Sequence, residues 1–85
     1  MGFRVGDIVA RSEGHLFTCS NKKHGIIIGF MDFGDGWDWL QIEGEYYYNV
    51  SGNKCVNYHN PEFIVLVERP TIVRHIKKLE FVDGR

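Results

Sequence analysis

HGIIIGFMDFGDGWDWLQI, residues 24–42, reads as two apolar strands folded back on each other across Gly34-Asp35-Gly36. Ile26, Ile27 and Ile28 are β-branched. Such side chains lose little freedom in an extended chain and pack well on a pleated surface, so residues 25–31 are expected to form a strand. Asp-Gly followed by alternating polar and apolar residues is a strong short-range hairpin signal. The rest of the chain reads as further strands laid against this pair.

Ahead of the hairpin, residues 5–10 (VGDIVA) are expected to be an edge strand entered through a tight Gly6-Asp7 turn. Residues 11–23 (RSEGHLFTCSNKK) keep neither a period of 2 nor of 3.6 and read as a loop, with Leu16 and Phe17 tucked onto the core. After the hairpin, Gly44 is expected to break the chain. Residues 45–50 (EYYYNV) and 55–58 (CVNY) then form a second hairpin that turns at Gly52-Asn53. Residues 59–62 (HNPE) make a turn, because Pro61 fixes φ and lacks the donor a ladder needs. Residues 63–67 (FIVLV) are apolar on both faces and are expected to be well covered. In the last segment Ile72, Val73, Ile76 and Leu79 recur at helical spacing, which predicts an amphipathic helix over residues 71–80 followed by a frayed tail.

A chain of 85 residues allows one domain, expected to span residues 1–85 with the strands within 5–68. A domain this small buries only about 60–65% of the surface its unfolded chain exposes, so most apolar residues are needed for stability. Hydrophobic content of 44%, charge of 25% and a net charge of -1 fit a globular domain with no global pull on nucleic acid or anionic membrane. No apolar run approaches the ~20 residues of a membrane span, and MGFRVGDIV lacks the basic-then-apolar layout of a signal peptide. Cys19 and Cys55 are too few for a disulfide scaffold and read as free thiols of a reducing compartment, so the expected location is cytoplasmic.

Four stretches in chain order, VGDIV, HGIIIGF, YYYNV and YHNPEFIVLV, resemble the small SH3-like β-barrel proteins of tailed bacteriophages. The resemblance covers most of residues 5–67. It implies a mostly β fold, a small barrel of five to six antiparallel strands used for binding, with no catalytic residues and a host cytoplasmic setting. Residues 32–44 then look like an added hairpin arm, and the helix after Pro70 is also extra.

Charge is uneven along the chain. Asp32, Asp35, Asp38, Glu43 and Glu45 fall between residues 32 and 48 with no basic residue among them, which gives an acidic, aromatic arm suited to a basic protein surface. If residues 37–42 alternate, Trp37 and Trp39 share one face opposite Leu40 and Ile42; Tyr46 and Tyr48 likewise share a face. Leu40 and Ile42 bury without a polar group to satisfy, which leaves the indoles on a partly open surface of the kind that supplies binding hot spots. The expected site is therefore Asp35, Trp37, Asp38, Trp39, Tyr46 and Tyr48, and the expected partner is a protein.

The alternative is a nucleic-acid-binding barrel using Lys22, Lys23, Arg74, Lys77 and Lys78, although a pI near 6.4 is low for such a domain. His15, Cys19, His24, Cys55 and His59 supply donors for zinc, but each close pair mixes one Cys with one His rather than two Cys two to four apart, so no metal or other cofactor is assigned. Cys19 with His24 lacks an orienting third residue and an oxyanion donor. No phosphate loop or recognisable carboxylate pair is present, and the expectation is a non-enzyme.

Overall fold

The computed structural model describes residues 2–70. Strands β1 (Ile8–Arg11), β2 (Gly25–Asp32), β3 (Asp38–Tyr48), β4 (Lys54–His59) and β5 (Ile64–Glu68) form one antiparallel sheet in the order β4-β3-β2-β1-β5. Two single 3-10 turns, Ser12–Gly14 and Pro61–Phe63, interrupt the connections, and no α-helix occurs among the described residues. No helix among them is long and apolar enough to cross a membrane. The helix expected over residues 71–80 lies outside the described residues.

The fold is mostly β, but the expected closed barrel is corrected to an open sheet, since β4 and β5 are both edges. The turn between them explains this. Asn60 accepts the Glu62 N–H through its side chain at 2.8 Å, and Pro61 has no N–H to extend the β4 ladder. The chain therefore crosses to β1, where Ala10 pairs with Val65 and Arg11 with Ile64. As a result β1 is an interior strand rather than the expected edge. β5, expected to be covered, is an edge strand whose Val65, Leu66 and Val67 are about half exposed.

Among the described residues the core is Val9, Phe17, Ile27, Leu40, Ile42 and Ile64, with Phe3 packed against it. Ile27 and Ile42 are Cα partners across β2 and β3, and both side chains are buried. Of the two loop residues expected to tuck inward, Phe17 is fully buried and Leu16 is exposed. Gly25 accounts for the tightness at this end, because a Cβ there would collide with Ile42 Cγ2 and lie 3.3 Å from Phe17 Cε2.

Gly44 does not end a strand. With φ at +84° it bends β3, and the pairing with β4 jumps from Gln41↔Tyr58 to Tyr46↔Val56. An insertion of this kind in one strand is a bulge that re-aims the side chains within it. Here it turns Glu45 to the interior.

Candidate functional site

Ladder register decides which aromatic residues share a surface, because Cα partners on neighbouring antiparallel strands project to the same face. Leu40 is buried and pairs with Phe30 on β2 and with His59 on β4, which marks the core side. Trp39 pairs with Met31, Gln41 with Tyr58, Tyr46 with Val56 and Tyr48 with Lys54, so these residues occupy the outer side. The outer face of β2, β3 and β4 thus carries a row of two aromatic groups, Phe33, Trp39 and Tyr58 and then Tyr46 and Tyr48, with Gln41 and Val56 between them.

Contacts within the row fix its geometry. The Phe33 ring meets Trp39 edge-on at 5.8 Å and Tyr58 edge-on at 5.5 Å. Tyr46 and Tyr48 stack edge-to-face at 5.8 Å, and Lys54 Nζ lies 4.1 Å above the Tyr46 ring. Despite these contacts the row stays open to solvent: Phe33 is 58% exposed, Tyr46 39% and Tyr48 62%.

The turn joining β2 and β3 holds its end of the row. Asp35 accepts the Trp39 indole N–H at 2.8 Å and the Trp37 backbone N–H at 3.1 Å. These two bonds, the indole first, hold the Asp35 carboxyl below its usual pKa. Gly34 and Gly36 have φ of +85° and +89°, which lets the chain reverse within five residues, 33–37.

Trp37 and Trp39 do not share a face, contrary to the alternation expected over residues 37–42. β3 begins only at Asp38, and Trp37 belongs to the turn. Trp37 lines a hollow with Phe3, Phe30, Asp38, Leu40 and Pro61 on the core side, whereas Trp39 lines a second hollow with Tyr58, His59 and Phe63. Both indoles are half-buried. Of the six expected site residues, the sheet gathers Trp39, Tyr46 and Tyr48 on the outer face with Asp35 at its end, and sets Trp37 and Asp38 on the reverse of the arm.

Glu45 leaves the acidic surface altogether. Its carboxylate is buried, where it accepts the backbone N–H of Ser20 at 2.6 Å and of Cys19 at 3.2 Å, and lies 3.3 Å from His59 Nε2. Burial alone would raise its pKa, but the Ser20 and Cys19 donors together with His59 lower it on balance. His59 is lowered as well. Burial is the larger cause, Arg11 adds to it, and Glu45 opposes both. The His59 ring also meets Phe17 edge-on at 5.3 Å. This cluster bolts the long loop 12–24 to the sheet. Residue type alone did not single out Glu45, but a glycine inside a strand run marks a bulge, and the residue after Gly44 was the one to suspect.

The remaining candidates are scattered. Lys22 and Lys23 are exposed on the loop, and Arg74, Lys77 and Lys78 lie outside the described residues. Cys19 Sγ is 3.6 Å from Asn57 Nδ2, Cys55 Sγ donates to Asn53 O, His15 sits 4.0 Å from Glu13, and His24 is exposed. Among the described residues no three His, Cys, Asp or Glu side chains converge as metal ligands would. A comparison of the chain with protein-family models, curated proteins and solved structures finds no match.

Proposed function

We propose that the chain is a non-enzymatic protein-binding module on an SH3-like strand order, and that it engages its partner through the outer face of β2, β3 and β4. Supporting the strand order, β1 to β4 pair consecutively as a meander, and β5 returns beside β1 after a 3-10 turn. The observation that carries the function is the row Phe33, Trp39, Tyr58, Tyr46 and Tyr48, in which Phe33, Tyr46 and Tyr48 stay exposed although most of the rings already touch one another. Large apolar rings held rigidly at a surface lose little entropy on binding and bury much area, the properties of interface hot spots. Asp35 stands at one end of the row, and Asp32 and Asp38 lie on the reverse of the same arm, so a basic protein surface is the complementary partner. The phage-like strand motifs favour a host or virion protein in that role.

Affinity capture from a bacterial host lysate tests this reading, with the Trp39→Ala plus Tyr46→Ala double variant as comparison. The expected result is one or more proteins retained by the native chain and lost with the double variant while its folded spectrum is unchanged. Equal retention by both would remove the outer face from consideration.

A further inference from the structure

On the reverse side of the arm, Phe3, Phe30, Trp37, Leu40 and Pro61 enclose a hollow of about 160 Å³ whose one charged lining residue is Asp38. Three of its walls are aromatic. Across the ladder, Asp38 has Asp32 as its Cα partner, so the two carboxylates project to the same face at the end of the β2–β3 pair. Like charges set directly opposite each other weaken a sheet. Among the described residues neither carboxylate is in an ion pair. Among the described residues Asp32 accepts only the Gly34 N–H, at 2.7 Å. The hollow, rather than the pair of acids, makes the site: five of its lining side chains are apolar, three of them aromatic, and Asp38 brings a negative charge among them.

A lysine side chain matches each part of that arrangement. Its four methylenes pack along apolar walls while its ammonium stays at the rim. The Asp38 carboxylate offers it an opposite charge, and the neighbouring indole and phenyl rings attract it further. A compact ammonium on a slim stem also suits a small hollow better than the broad, planar guanidinium of arginine.

We infer that the Trp37–Asp38 hollow receives a lysine side chain of the protein partner, with Asp32, the cross-strand partner of Asp38, adding negative charge nearby. The inference rests on reading the chain as a protein-binding module and names the chemistry by which the arm would select a basic partner. A partner that clasps the tip of the arm then touches both surfaces, the outer row through Trp39 and the hollow through Trp37.

The test is an NMR titration of the full chain with a capped Gly-Gly-Lys-Gly-Gly peptide, followed at the Trp37 and Trp39 indole N–H resonances. Matched peptides carrying arginine or norleucine at the central position complete the series. Saturable shifts at Trp37 with lysine, at least tenfold weaker binding with norleucine, and a comparable loss in Asp38→Asn are expected. Asp38→Asn should keep or gain stability, since it removes a like-charge opposition, so lost binding cannot be ascribed to unfolding. Asp32→Asn provides a second variant, with a smaller loss.

Equal shifts from lysine and norleucine would reduce the hollow to an unselective apolar groove and overturn the inference. Shifts confined to Trp39 would overturn it too, while sparing the outer face as a docking surface. An Arg74→Ala, Lys77→Ala, Lys78→Ala variant that moves the Trp37 resonance without peptide would name the chain's own basic segment as occupant, which also overturns the assignment to a partner.

Discussion

Arg69 grips Asp7 with two bonds, Nε to Oδ1 at 2.8 Å and Nη2 to Oδ2 at 2.7 Å, and so ties the end of β5 to the entry of β1. Asp7 also accepts the Arg4 N–H at 2.8 Å, and Arg69 Nη2 donates to the Gly2 carbonyl. A bidentate guanidinium–carboxylate pair specifies direction as well as charge. In an open sheet it does what strand closure would otherwise do, holding an edge strand in register at its outer end.

Asp7→Ala is therefore expected to destabilise the domain by about 1 kcal/mol, since it removes a buried carboxylate that accepts from Arg69, itself still partly exposed, and from the Arg4 N–H. The Arg69 hydrogen bonds are the main cause of a lowered Asp7 pKa, with burial opposing and the Arg4 N–H assisting. A depressed carboxylate contributes stability above its unfolded value of about 3.9, and this is lost as pH falls through the folded value. Urea midpoints measured between neutral and acid pH should show that acid limb in the native chain and a shallower one in Arg69→Gln. Identical limbs would separate the pair from stability.

Glu45 and His59 act together at the opposite end of the sheet. His59 has a lowered pKa, so the unfolded chain takes up a proton first and stability declines as pH falls below about 6.5. Glu45 is also lowered and adds a second decline at lower pH, below about 4.3. His59→Gln should abolish the upper decline and keep the lower one. Glu45→Ala, which leaves the Ser20 and Cys19 N–H groups without their acceptor, is expected to cost about 2–3 kcal/mol at neutral pH. Unchanged hydrogen exchange at Ser20 and Cys19 in that variant would contradict the bolt.

Gly25→Ala is expected to cost about 1–3 kcal/mol, the range for forcing one extra carbon into a packed core. The methyl would press on Ile42 and Phe17. Because the collision is with Ile42 Cγ2, the same change should cost less in an Ile42→Ala background, where that atom is absent. Strict additivity in the double-variant cycle would rule out the steric cause.

Asp35→Ala should leave the urea midpoint almost unchanged, since the group is exposed, yet free the Trp39 indole from its anchor. Faster exchange of the indole N–H and weaker capture of the partner are the expected readouts. Asp35→Asn, which keeps one acceptor, should fall between the two. If partner capture is unaffected in Asp35→Ala, rigidity of Trp39 has no part in recognition.

Much of the fold was legible because it follows from local chemistry. The three isoleucines after Gly25, the Gly-Asp-Gly turn and the Gly52-Asn53 turn each mark where a strand runs or reverses, and β2, β3 and β4 follow them. Asn49 completes the second turn, accepting the Ser51 and Asn53 N–H groups, both at 2.9 Å. The burial of Leu40 and Ile42 was equally readable, since an apolar side chain with nothing to hydrogen-bond is the least costly to enclose.

Where alternation was broken, the reading failed. Trp37 sits in a turn, so the period of two that would align it with Trp39 does not apply. Glu45 counted as one of five surface acids until the bend at Gly44 carried it inside. Both errors arise where positive-φ glycines change the direction in which the following side chains project.

By itself the sequence determined that the chain is mostly β, where its turns fall, and that its central segment is acidic and rich in rings. Those properties depend on residues close together along the chain. Only tertiary structure decided that the sheet stays open, that Asp7 meets Arg69 and Glu45 meets His59, and which rings stand side by side. Partners separated by 62 residues, as Arg69 and Asp7 are, come together only after strand order and register have been set, and no local pattern of residues encodes that meeting.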